Sequence, residues 1–183
     1  MLLDYTFEAS PVERVITDFV KHLQNITDKG GVTLFGDERC GRGNSQVIYT
    51  PSAEATPFCH VWLDRAAWKI KSMPPYPMAW VADLTIVVGA FNNDPGYAEE
   101  FTAQMNDMCF WVANSLSDPS VPLDADNNPG LAFDNNWRGF EIGDVSMLDE
   151  QIVRDRYGRF YQLSEGFALR GMTLRFNTMG EIR

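Results

Sequence analysis

The segment of residues 79–91 restricts the fold of this chain more than any other part of the sequence. It has the alternation and β-branched content of a long strand. One face would carry Trp80, Ala82, Leu84, Ile86 and Val88, and the other Val81, Asp83, Thr85 and Val87. Because no other run in the sequence has so strong a strand pattern, we predict that it lies at the centre of a sheet.

Two helices are predicted from apolar residues at helical spacing. The first begins at Ser10 and Pro11, where Glu13 can complete a capping box, and it should end at residues 30–31. Residues 92–95 should cap the second, and residues 118–119 should stop it. The apolar positions are Val12, Val15, Ile16, Phe19, Val20 and Leu23 in the first helix, and Ala98, Phe101, Met105, Cys109, Val112 and Leu116 in the second.

Shorter β-rich runs complete the pattern of elements. They cover residues 32–35, 46–50, 60–70, 140–147 and 167–176. The order helix, strands, helix, strands predicts an α+β fold, with an antiparallel or mixed sheet and both amphipathic helices packed on one face. We expect one domain over residues 1–183, interrupted by a long irregular loop at residues 118–138.

Composition limits the class of protein. The formal net charge of −10 disfavours tight binding to a phosphate backbone. Three cysteines at unrelated spacings indicate reduced thiols rather than a disulfide framework. The first residues do not resemble a signal peptide, and no apolar run suits a membrane helix. We therefore expect a soluble protein of a reducing compartment, without membrane contact.

Two loops resemble ligand motifs but depart from them at decisive positions. Residues 36–43 have the glycine spacing of a phosphate-binding loop, but Arg42 and Gly43 replace its lysine and hydroxyl residue. We interpret them as a hairpin tip. Residues 124–128 resemble the start of a calcium loop, but Pro129 and Asn135 stand where glycine and glutamate are required. We interpret them as a turn-rich loop.

Isolated polar residues also give no catalytic motif. Cys59 and His60 should point to opposite faces of a strand, which leaves Cys59 as a small core residue. His22 lies beside or opposite the apolar stripe of the first helix, and Asp83 should face solvent or an interface. We therefore assign no catalytic, metal-binding or cofactor-binding residue, and expect no cofactor and no enzymatic activity.

A concentration of tryptophan, tyrosine and methionine around three prolines gives the candidate interface. Its residues are Trp62, Trp68, Met73, Tyr76, Met78 and Trp80. These residue types are enriched at the centres of protein interfaces. They are also common in cores, so core packing and a protein contact both remain open for this region.

The order of elements resembles that of phage tail terminator, or tail completion, proteins. The likeness rests on the amphipathic N-terminal helix, the strand at residues 80–88, the helix at residues 97–116 and the final strand at residues 170–176. The resemblance implies a structural virion protein that forms a homohexameric ring. Such a ring caps the tail tube at its head-proximal end and joins it to a neck or connector protein, after assembly in the host cytoplasm. DNA would pass through without tight binding.

Two other classes of protein fit the same pattern of elements. One is another neck or head-completion subunit, which would have a different ring partner. The other is a small cone-shaped enzyme or ligand-binding domain, which would need an apolar pocket with converging polar groups.

Overall fold

The computed structural model of the chain describes residues 11–70, 78–117 and 141–180. Four helices and five strands are described, together with short 3-10 turns at Pro95–Tyr97 and Gly158–Phe160. In chain order they are α1 (Pro11–Asn25), α2 (Gly36–Arg39), β1 (Cys40–Arg42), β2 (Phe58–Ile70), β3 (Met78–Phe91), α3 (Ala98–Ser117), β4 (Glu141–Leu148), α4 (Glu150–Tyr157) and β5 (Phe167–Gly180).

The five strands form one mixed sheet in the order β1-β2-β3-β5-β4. β1 is parallel to β2, and the other three pairs are antiparallel. β3 therefore lies at the centre, which confirms the position predicted for residues 79–91. The predicted α+β class with a mixed sheet is confirmed as well.

α1 and α3 pack on the same face of the sheet, as predicted. Phe19 and Leu23 of α1 are fully buried, and so is Cys109 of α3. They share one core with Leu84 and Ile86 of β3. These contacts follow from the apolar stripes of the two helices, each of which must be removed from water by the sheet.

The opposite face is covered by a helix that the sequence analysis did not assign. Asp149 caps the start of α4, because its carboxylate accepts a hydrogen bond from the backbone N–H of Ile152 at 2.9 Å. Val153 and Tyr157, one turn apart, are its buried residues. Two buried positions in eight residues are too few to make a periodic pattern, which is why α4 escaped prediction.

Two of the predicted short strands are wrong. Residues 32–35 and 46–50 form only isolated bridges, between Thr27 and Thr33 and between Tyr49 and Tyr161. α1 ends at Asn25 rather than at residues 30–31, because Asp28 starts a tight turn. Its carboxylate accepts hydrogen bonds from two backbone amides at 2.8 Å, those of residues 30 and 32.

The interpretation of residues 36–43 as a hairpin tip is also wrong. Gly36–Arg39 form the single-turn helix α2, and β1 follows directly. The predicted loop at residues 118–138 and the calcium-like motif at residues 124–128 lie outside the described residues.

A bulge at Asp64 changes the side-chain alternation of β2. Leu63 pairs with Leu84, but Arg65 pairs with Asp83, so that Asp64 has no partner in the ladder. Before the bulge the odd-numbered residues of β2 share a face with Leu84, whereas after it the even-numbered Ala66 does. Ala66 accordingly packs against the α1/α3 core.

The close contact between Gly89 of β3 and the ring of Phe58 of β2 gives a stability prediction. A Cβ atom at Gly89 would overlap the ring of Phe58, whereas a Cβ atom at Gly41 would meet nothing within 4 Å. Gly89→Ala should therefore lower the free energy of unfolding by about 1–3 kcal/mol, because the ring must leave its packed position. Gly41→Ala should change it by less than about 0.5 kcal/mol. Urea unfolding checks both, and equal effects would contradict the packing described.

Candidate interaction surfaces

Of the six residues of the predicted interface, the structure places one in the core. Trp62 is only 6% exposed and stacks on Phe160 at 4.7 Å, so it belongs to the core and is withdrawn as an interface residue. Trp68 and Trp80 are register partners across β2 and β3, and Met78 is the partner of Ile70. The other two, at positions 73 and 76, lie outside the described residues.

The backbone around Trp68 and Trp80 belongs to the far end of three long strands. β2, β3 and β5 contain 13 or 14 residues each, which corresponds to about 45 Å. Pairing continues to their ends, where Met78 lies opposite Gly180. The longest described helix, α3, has 20 residues and spans about 30 Å. No described helix therefore matches the length of the sheet.

An aromatic layer fills the space between the sheet and α4. It contains Tyr49, Phe58, His60, Trp62, Tyr157, Phe160, Tyr161 and Phe167. At its centre the hydroxyl of Tyr161 accepts a hydrogen bond from Nε1 of Trp62 at 3.2 Å. It lies 2.9 Å from Nδ1 of His60, to which it can donate. Burial lowers the pKa of His60 to about 4, so the imidazole is neutral.

The bulged residue Asp64 fixes α4 to the sheet. Its two carboxylate oxygens accept hydrogen bonds from the hydroxyls of Tyr157 at 2.5 Å and Thr85 at 2.6 Å. Burial, followed by the hydrogen bond to Asp64, raises the pKa of Tyr157, which keeps its phenol protonated and able to donate. The arrangement has a structural role: it satisfies two hydroxyls that the helix and sheet would otherwise bury without a partner.

His22 is buried between α1 and α3. Its Nε2 lies 3.0 Å from Oγ of Ser115, whose own hydroxyl donates to the carbonyl of Val112 at 2.7 Å. Nε2 must therefore donate, and Nδ1 is left as an acceptor without a hydrogen-bond partner. Burial lowers the pKa of His22 to about 4, so protonation would place an unpaired charge in the core.

The three cysteines meet in the α1/α3 core. Cys40 and Cys59 are register partners on β1 and β2, and Cys109 is buried on α3. All three are free thiols, in agreement with the expectation from their spacing. Burial raises the pKa of Cys59 and raises that of Cys109 to about 12. Protonated, buried thiols are poor nucleophiles and poor metal ligands.

Asp83 lies on the α4 side of β3, where it forms an ion pair with Arg175 of β5 at 2.7 Å. Both side chains are partly exposed to solvent.

Cys59 and His60 point to opposite faces as predicted, since Cys59 belongs to the α1/α3 core and His60 contacts Tyr161.

A shallow groove of about 690 Å³ opens where α3, β4 and α4 meet. Phe110, Met147 and Ile152 line it and are large apolar side chains left exposed to solvent. At its inner end Arg170 donates to Glu150 of α4 at 3.0 Å and to Asn106 of α3 at 3.2 Å. This surface was not predicted from the sequence. Its only signal was Phe110, an aromatic residue outside the apolar stripe of the second helix.

Across residues 11–70, 78–117 and 141–180, no three His, Cys, Asp or Glu side chains are grouped as metal ligands. In the same ranges, no helix has the length and apolar character of a membrane span. The sequence matches no protein-family model and no curated protein.

The buried His22 and the partly buried His60 predict a defined pH dependence of stability. Their folded pKa of about 4 lies below the ordinary value of 6.5, so the unfolded chain binds more protons between these values. The contribution of the two histidines to the free energy of unfolding is therefore fully present above pH 6.5, and it decreases as the pH drops towards 4. Between pH 7 and pH 5 each histidine should account for a loss of about 2 kcal/mol.

Urea unfolding at pH 7 and pH 5 measures this loss. The variants His22→Gln and His60→Gln serve as matched controls, and each should remove about half of the pH dependence. If the double variant keeps the full pH dependence, the histidines are not its source.

Proposed function

We propose that this chain is a ring-forming structural subunit of a phage tail, the tail terminator that caps the tail tube and joins it to the neck. Its partners would be further copies of itself, the tail tube protein and a neck or connector protein. The proposal places the protein in the virion and gives it no catalytic role.

The observation that carries the proposal is the mismatch between the sheet and its helices. Three paired strands of about 45 Å run beyond the longest described helix, at about 30 Å. A long paired sheet with an apolar groove at one edge offers area for contacts between subunits. The order of elements, with α1 and α3 on one face, also agrees with the resemblance to tail terminators.

The structure bears differently on the two alternative functions. A neck or head-completion subunit has the same support and differs only in its ring partner. An enzyme or ligand-binding domain would use an enclosed apolar pocket with converging polar groups. The α3–β4–α4 groove is open, with Phe110 on its wall 64% exposed, and suits a macromolecular contact better than a small ligand.

Light scattering and mass photometry of the purified chain test the proposal. Six copies of 20.7 kDa give a ring of about 124 kDa, which should appear either free or on added tail tubes. Electron micrographs should show that ring at one end of the tube. A monomer or dimer under both conditions, absent from the tube end, would remove the ring function and favour the ligand-binding alternative.

The acidic composition predicts weak binding to the DNA that would pass through the ring. Six subunits at −10 sum to about −60, and such a wall repels a polyanion over a Debye length of ~8 Å at physiological salt. We expect no submicromolar affinity for duplex DNA in a titration at low salt. Tight binding that weakens steeply as salt is raised would indicate a basic channel.

A further inference from the structure

Four of the eight large apolar side chains that are exposed among the described residues lie at one edge of the sheet. Phe110 is 64% exposed, Met147 46%, Val145 41% and Ile152 37%. Three of them line the α3–β4–α4 groove, and Val145 precedes Met147 by two residues on the same face of β4. We call these four residues the edge patch. Single exposed apolar residues are ordinary, but a cluster of four indicates a contact surface.

The backbone beside the edge patch is also open. β4 pairs with β5 on one side and has no strand partner on the other among the described residues. Its second half, residues 145–148, contains no charged residue and no proline, the residues that commonly protect edge strands. The edge is thus suited to contact with another chain.

A second apolar surface lies towards the opposite edge. Val47 and Ile48, 41% and 65% exposed, occupy the loop that follows β1, and we call them the loop patch. Tyr49 anchors this loop, because its N–H donates to the carbonyl of Phe160 at 2.8 Å. Its ring packs on His60 at 4.0 Å. The loop patch is therefore presented by a fixed backbone.

Charge distinguishes the two sides of the subunit. Helix α3 together with residues 141–157 contains eight acidic and two basic residues. Residues 11–42, which include α1 and β1, contain five of each. Two edge patches facing each other would bring two acidic regions together. An edge patch facing the β1 side of another copy, where acidic and basic residues balance, avoids that repulsion.

We propose that the edge patch of one copy binds the loop patch of the next, so that the contact between subunits is heterologous. Identical head-to-tail contacts generate a ring when the rotation closes. This inference rests on the proposed ring function and adds which surfaces form the contact. It places Phe110 and Met147 against Ile48 of a second copy of this chain.

Cross-linking between variants that each carry one added, exposed cysteine tests the contact. Met147→Cys and Ile48→Cys are prepared separately, mixed, and treated with a short bismaleimide. The native cysteines are buried and do not compete. Tyr97→Cys, at a position 61% exposed and outside both patches, is the matched control. We expect cross-linked dimers in the mixture of the Ile48 and Met147 variants, at least about tenfold above mixtures that contain the control.

The outcomes separate the two proposals. Cross-linking of the Met147 variant with itself would show an isologous contact and overturn this inference while leaving the ring intact. A ring of the expected mass without a cross-link between positions 48 and 147 would also overturn it. Absence of any oligomer, free or on tail tubes, would overturn both this inference and the ring function.

Discussion

The bulge at Asp64 is the constraint on which the two-layered packing of the sheet depends. β2 presents apolar residues to α1 and α3. In its sequence these residues change from odd-numbered to even-numbered positions at Asp64. Leu63 and Ala66 reach the same face only because Asp64 is left out of the ladder. A regular strand would instead turn Arg65 towards the helices.

Asp64, which is left out of the ladder, also fixes α4 on the other face of the sheet. The carboxylate of Asp64 accepts the hydroxyls of Tyr157 and Thr85, which ties α4 to the sheet above the aromatic layer. Because α4 has only two buried side chains, its position depends on this polar anchor as well as on apolar burial. One local irregularity therefore serves both faces of the sheet.

The same layering leaves one edge of the molecule incompletely covered. α3 packs over β3 and β5, whereas Val145 and Met147 of β4 remain exposed on that face. Arg170 links α3 and α4 at the inner end of the resulting groove and so gives it a fixed shape. In the proposed ring a neighbouring copy would cover this edge, which would explain why an apolar groove remains on an acidic surface.

The sequence by itself determined the elements with strong periodicity. The alternation of residues 79–91, the two helical stripes and the late strands specified an α+β fold with a central β3, because burial of a periodic apolar face is a local requirement. Tertiary structure decided what periodicity does not encode. The bulge at Asp64, the core position of Trp62 and the helix α4 depend on partners distant in sequence. The edge patch is defined by what the neighbouring elements fail to cover, and that becomes visible only once they are packed together.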